Sequence, residues 1–258
     1  MTFLSLWSAD GKSTNSKAFF HMVVMITGAS RGIGFETARY FAGMKDVEIF
    51  ALSRNKAGLG RLATECAGLN KHSRLHPMVF DLDIFLQEPG SLVKKLPKSV
   101  KNIDILINNA GVLINKPFED IALEEIERIF RINFFAPSLL IRELLPLMGK
   151  NGLSHVVNIS SMGGFQGSTK FPGLSYYSAS KASLACLTEC LSEEFRDSGI
   201  AFNCLALGSV QTEMLEEAFP GYKARLNPRE MAEFIGHFAL TAHKHMQGRV
   251  VPVSLGNP

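Results

Sequence analysis

Seven short apolar runs, separated by stretches with helical spacing, constrain this sequence more than any other feature. Met22-Val23-Val24-Met25-Ile26 opens the pattern. Unbroken apolar runs of this length suit strands buried on both faces of a parallel sheet. The others are Glu48–Leu52, Leu75–Phe80, Ile103–Ile107, Val156–Ile159, Ala201–Ala206 and Val250–Val253. Helical spacing fills about 33–42, 56–67, 89–96, 123–148, 176–197 and 228–240. A bend is expected in the fourth of these near Pro137, because a proline inside a helix removes a hydrogen bond. Strands alternating with helices imply βαβ units, whose right-handed crossovers place helices on both sheet faces. The predicted fold is therefore α/β, a doubly wound parallel sheet of about seven strands. No internal repeat or linker interrupts it after residue 21, so residues 21–258 read as one domain. Residues 1–20 become polar after a brief apolar start and read as a flexible extension.

Composition removes several classes of function. A chain of 258 residues buries enough apolar surface to need neither disulfides nor metal. Its cysteines, Cys66, Cys186, Cys190 and Cys204, show no C-x-x-C pairing and have no histidine placed to complete a metal set. Cys186 and Cys190 share one helix face and read as small buried hydrophobes. A reducing, cytoplasmic setting follows. Lysine and arginine total 27 against 24 acidic residues, with no dense basic run, which argues against nucleic acid. No apolar stretch reaches the roughly 18–20 residues that span a bilayer. Phe3–Trp7 is too brief, and lacks the basic lead, for a signal peptide.

Between the first strand and the first helix lies Thr27-Gly28-Ala29-Ser30-Arg31-Gly32-Ile33-Gly34. In a strand–turn–helix setting such glycines let the backbone approach a pyrophosphate, which the helix N-terminus then attracts. Gly28, Ser30, Arg31, Gly32, Ile33 and Gly34 are accordingly candidate dinucleotide contacts. The second strand ends in Ser53-Arg54-Asn55, with no acid to accept from a ribose 2′-hydroxyl. Arg54, with Arg31 beside it, suits a 2′-phosphate through charge-assisted bidentate bonds. NADP(H) is therefore the expected cofactor. Asp81 and Leu82 close the third strand where adenine would lie, and Asn109-Ala110-Gly111 after the fourth permits close passage of the cofactor.

The spacing T-G-x-x-x-G-x-G over Thr27–Gly34, N-N-A-G over Asn108–Gly111, Asn158-Ile159-Ser160-Ser161 and Y-x-x-x-K over Tyr177–Lys181 together resemble the short-chain dehydrogenase/reductase family in its single-domain form. The resemblance covers roughly residues 22 to 256 and implies a Rossmann-like sheet. Its 3-oxoacyl-(acyl carrier protein) reductase type is the nearest variety. Carbonyl reduction needs a proton donor near the developing oxyanion. Tyr177 is the candidate acid, and Lys181, four residues on, shares its helix face. The lysine charge is expected to lower the tyrosine pKa, and its amine to hold the nicotinamide ribose. The family pattern places Ser161, rather than Ser160, on the substrate carbonyl, and makes Asn133 a link in a proton relay. Tyr176 has only Ser180 at the matching distance and is set aside. Gly208, Val210 and Thr212 match the family's nicotinamide segment, with Thr212 at the carboxamide.

Two departures stand out. Ser161 and Tyr177 are 16 positions apart, longer than the family pattern, with Ser168-Thr169-Lys170 as the surplus. Leu207 stands where the family has proline. The segment from Met214 to about Leu226 is short for a substrate lid. The resemblance implies NADPH-dependent reduction of a ketone, borne on a small molecule or an acyl carrier. A secondary-alcohol dehydrogenase of steroid, sugar or polyol type is the alternative, and a non-catalytic NADPH sensor a remoter one. A homodimer or homotetramer is expected, assembled through the two long helices. Neither metal nor membrane is implied.

Overall fold

The apolar runs form strands because two helical layers cover them. The computed structural model describes residues 22–150, 152 and 154–255; the expectations for residues 1–20 and for the last three residues lie outside this range. Seven parallel strands run β1 (Met22–Thr27), β2 (Val47–Ser53), β3 (Arg74–Val79), β4 (Ile105–Asn108), β5 (Ser154–Ser161), β6 (Ile200–Leu207) and β7 (Arg249–Val253), in spatial order β3-β2-β1-β4-β5-β6-β7. Successive side chains of β1 feed opposite cores. Val24 and Ile26 pack with α1 (Gly32–Ala42), α2 (Lys56–Cys66) and α9 (Pro228–Thr241), through Phe41, Leu62 and Ile235. Val23 and Met25 pack with α3 (Leu82–Phe85), α4 (Ser91–Lys95) and α6 (Ala136–Leu144), through Phe85, Leu92 and Leu140. This alternation is the period-2 geometry of a strand covered on both sides.

Both prolines of the sheet, Pro77 and Pro252, fall in its edge strands β3 and β7. A proline there removes no hydrogen bond from a central ladder.

Strand order reverses between β2 and β4, the neighbours of β1. Above such a switch point the loops at the carboxyl ends of the strands diverge and leave a crevice. The turns after Thr27, Asn108 and Ser161 all open there.

The long helix expected over 123–148 is interrupted. α5 (Leu123–Phe130) passes into a π-helical turn, Arg131–Phe135, and then into α6. The break precedes Pro137, which sits in the first turn of α6. Proline still takes part, because residue 137 would supply the α-helical N–H to the Asn133 carbonyl and cannot. Two short helices went unread in the sequence: α3, and α8 (Glu213–Ala218) over the crevice. The reading of Cys186 and Cys190 as buried is corrected. Both are exposed, because α7 (Ser175–Glu194) turns Ser180, Lys181, Leu184 and Thr188 to the sheet and these cysteines away from it; Cys66 and Cys204 are buried.

Candidate active site

The first turn of α1 leaves N–H groups facing the crevice, since its N-cap, Arg31, makes no side-chain cap. Free N–H groups at a helix start suit a phosphate. The turn is held by polar groups of the protein itself. Thr27 Oγ1 accepts from the backbone N–H groups of Asn109 and Ala110 at 3.1 and 3.0 Å, and Asn109 Nδ2 donates to the Thr27 carbonyl at 3.0 Å. A Cβ at Gly34 would lie 2.5 Å from the Gly28 carbonyl, so only glycine lets α1 start this close to β1. Ser30 and Ser53 hydroxyls bond at 2.8 Å and bring the turn against the end of β2.

A second polar ladder fastens α7. Asn108 Nδ2 donates to Asn158 Oδ1 at 2.8 Å, and Asn158 Nδ2 donates to Thr188 Oγ1 at 2.9 Å. Ser160 Oγ donates to the Lys181 carbonyl at 2.8 Å, so Ser160 is committed to holding the helix. Its neighbour Ser161, at the end of β5, accepts from Gly163 N at 3.1 Å and lines the cleft together with Tyr177. The turn after Ser161 lies against α7 because residue 164 is glycine: a Cβ there would meet Ala182 N at 2.6 Å.

Burial governs the titration of this corner. Lys181 is buried, its Nζ donates to the Ile159 carbonyl at 2.9 Å, and its pKa is pulled down to about 8. Burial pushes the Tyr177 phenol up, with the Ser161 hydroxyl opposing in part. In the protein by itself this is opposite to the direction expected from Lys181. The ammonium lies 6.0 Å from the Tyr177 ring centroid, and desolvation outweighs its attraction. Asn133 is fully buried behind the lysine. Its Oδ1 accepts from Val112 N at 2.8 Å, and its Nδ2 donates to the Val112 carbonyl at 2.9 Å and to Ser180 Oγ at 3.0 Å.

These groups share one cleft of about 1190 Å³. A drug-sized ligand fills roughly 300–1,000 Å³, so there is room for a dinucleotide and a second molecule. All the residues singled out from the sequence line it except Gly34, which packs behind the turn, and Asn133. Several candidate contacts double as structural caps: Asn55 Oδ1 accepts from Gly58 N, Asp81 Oδ1 from Asp83 N, and Thr212 Oγ1 from Leu215 N. The far end is apolar, with Leu113, Ile114, Met162, Phe171, Leu174 and Phe219, while exposed Lys223 and Arg225 stand at its rim. Tyr176 lies outside the cleft lining and stacks on Phe118 at 5.2 Å. The surplus loop is tied to itself: Lys170 Nζ donates to the Phe165 carbonyl at 2.6 Å, and Ser168 Oγ donates to the Met162 and Phe165 carbonyls.

Sequence reasoning missed Glu213 and Glu217, two lid acids in the cleft, and Arg61, whose guanidinium lies 4.9 Å over the Phe35 ring beside the glycine turn. The i, i+4 spacing of the acids after a capping threonine was the available signal.

The family model for the short chain dehydrogenases matches residues 22–223. The chain belongs to this family. The mouse dehydrogenase/reductase SDR family member 7B is 32% identical over 77% of the chain, a match spanning 61% of that protein's length. The ketoacyl reductase HetN of a Nostoc species is 37% identical over 74% of the chain and 64% of its own length. Among solved structures, a putative NAD(P)-dependent gluconate 5-dehydrogenase from Beutenbergia cavernae, with bound NADP, superposes with a TM-score of 0.76 at 25% identity, covering 90% of this chain and 95% of that one. The family is one of oxidoreductases, and the Beutenbergia structure of the same fold holds a nicotinamide dinucleotide. No helix among the described residues is long and apolar enough to cross a membrane.

Proposed function

We propose that this short-chain dehydrogenase reduces a ketone to a secondary alcohol with NADPH, and that Tyr177 donates the proton. The observation that carries the reading is the convergence of Ser161, Tyr177 and Lys181 on one cleft, with the tyrosine and the lysine one turn apart on α7. A bound nicotinamide supplies the hydride. Ser161 orients the carbonyl oxygen, and the Tyr177 phenol gives its proton to that oxygen as negative charge develops. Lys181, charged below about 8, would hold the nicotinamide ribose and attract the tyrosinate form of the phenol. Asn133 orders the link from the lysine outward. Arg54, exposed at the end of β2, receives the 2′-phosphate.

The apolar far end with cations at its rim suits an acyl chain on a phosphorylated carrier, in keeping with the 37% identity to a ketoacyl reductase. A secondary-alcohol dehydrogenase is the second reading, favoured by the same apolar lining. The exposed stripe Ala179, Ala182 and Cys186 on α7, with Phe135 after α5, supports assembly of copies through these helices, checked by light scattering. The deciding experiment follows nicotinamide absorbance with acetoacetyl thioesters, diketones, steroids and sugars, with NADPH and with NADH. Turnover of the thioester with NADPH is the expected result. Silence on every carbonyl, with NADPH bound, would overturn the enzymatic reading.

A further inference from the structure

Arg31 is already engaged. Its Nη1 donates to Glu217 Oε1 at 2.7 Å, joining the glycine turn to α8 across 186 positions of sequence. Both side chains line the cofactor cleft, and so does Glu213 one turn earlier on α8. The ion pair raises the arginine pKa and lowers that of the glutamate, as expected of attraction between them. Next along the chain, the Ala218 carbonyl accepts from Asn115 Nδ2 at 2.9 Å, so α8 is pinned on both sides of the cleft by consecutive residues.

The place where Arg31 stands matters. The Ser30–Ser53 bond sets the glycine turn against the end of β2, and each serine is followed directly by an arginine, Arg31 and Arg54. Both arginines line the cleft next to this junction of the glycine turn with the end of β2. A 2′-hydroxyl arriving there carries no charge and leaves the Arg31–Glu217 pair intact. A 2′-phosphate must compete with Glu217 for the Arg31 charge, by displacing the carboxylate or by sharing the guanidinium with it. Both cost free energy that the unphosphorylated cofactor does not spend.

We propose that Glu217 is a cofactor-selecting residue, which holds Arg31 across the cleft and so weakens binding of a 2′-phosphorylated dinucleotide relative to an unphosphorylated one. The proposal rests on the reading that the adenosine ribose lies between Arg31 and Arg54. It reassigns Arg31 from a free phosphate ligand to a shared one, and leaves Arg54 as a cation that pairs with no carboxylate among the described residues.

The test is calorimetric titration of the full chain with NADPH, NADH and adenosine 2′,5′-bisphosphate. In Glu217→Gln, binding of NADPH and of the bisphosphate should tighten roughly two- to fivefold, the range of an exposed ion pair, with NADH unchanged. The gain should shrink at high ionic strength, and should vanish when Arg31→Gln is already present. The Glu217 side chain is 65% exposed, so the fold should tolerate the change; a melting curve on each variant checks this. Equal weakening of NADPH and NADH in Glu217→Gln would overturn the proposal, since it would make the pair a lid fastening only. An unchanged ratio of the two affinities would overturn it as well. The wild-type preference and its response to Arg54→Asp are read separately. A wild type that favours NADH, yet shifts toward NADPH in Glu217→Gln, would reject the cofactor reading and keep this one.

Discussion

The two halves of the cleft are built by different means. On the cofactor side the backbone does most of the work: the turn after β1, the free start of α1, and side chains such as Thr27, Asn109, Asn55 and Asp81 that already hold the protein together. On the substrate side the walls are side chains on loops and on one six-residue helix, fastened at single points such as Asn115–Ala218 and Lys170–Phe165. Between them stands the corner of half-buried Ser161 and Tyr177 and buried Lys181, carried on β5 and α7. A backbone cradle tolerates little change, because each of its groups serves both fold and ligand. A side-chain wall can be exchanged while the sheet beneath stays as it is, which is how one fold takes many substrates.

Four substitutions break or sharpen this contrast, in falling order of effect. Tyr177→Phe removes the proposed proton donor, where both halves meet, and kcat for carbonyl reduction should fall by roughly 10²–10⁴, while the Kd for NADPH stays within about twofold. A parallel loss of NADPH binding would show instead that the corner is part of the cofactor cradle. Lys181→Met should abolish turnover and yet stabilise the fold. The amine has its pKa lowered from 10.5 to about 8, so charging it costs the native state most below pH 8, and the cost fades as pH rises to 10.5. Removing it should add about 2–3 kcal/mol at neutral pH in urea unfolding, with the gain disappearing by strongly alkaline pH. In the wild type, cofactor binding should weaken as pH rises through about 8, where the ammonium is lost.

Arg54→Asp acts on the cofactor half alone. The ratio of NADPH to NADH affinity should drop by about tenfold or more, the value of charge-assisted bonds to a phosphate, without altering the melting temperature. An unchanged ratio would remove Arg54 from the 2′-phosphate site. Lys170→Ala acts on the substrate half, where it frees the surplus loop from the Phe165 carbonyl. KM should move by no more than about threefold, with kcat and cofactor affinity constant, because an exposed hydrogen bond contributes little. A large fall in kcat would make that loop part of the chemistry instead.

Legibility followed the same divide. The glycine turn and the Tyr177–Lys181 pair were readable because their geometry is local: eight consecutive residues make the turn, and one helical turn separates the pair. The seven strands were readable because burial on both faces writes unbroken apolar runs. The Arg31–Glu217 pair was not, since its members are brought together only by the whole sheet. The exposure of Cys186 and Cys190 was misread for a related reason. α7 is covered on one face only, and its outer face is written in alanine and cysteine, residues that elsewhere mark a core. Helices as short as α3 and α8 hold too few turns to show a period. The tyrosine pKa ran against expectation because desolvation is a property of the packed site, and no spacing encodes it.

The π-helical turn at Arg131–Phe135 also sets the phase of the chain beyond it. One extra residue in a helical turn rotates everything downstream by about 100° relative to an unbroken α-helix. The apolar stripe of α5 and that of α6 are therefore written out of step, and each is coherent only when counted from its own side of Asn133. A deletion of a single residue within Arg131–Phe135 would leave a smoother helix and a worse protein. It would bring Phe134 or Ile132 to the place where Asn133 now meets Val112 and Ser180, and would turn Leu140 and Leu144 away from the core they fill. In this stretch, sequence length is information in its own right, as binding on the chain as the identity of any side chain it carries.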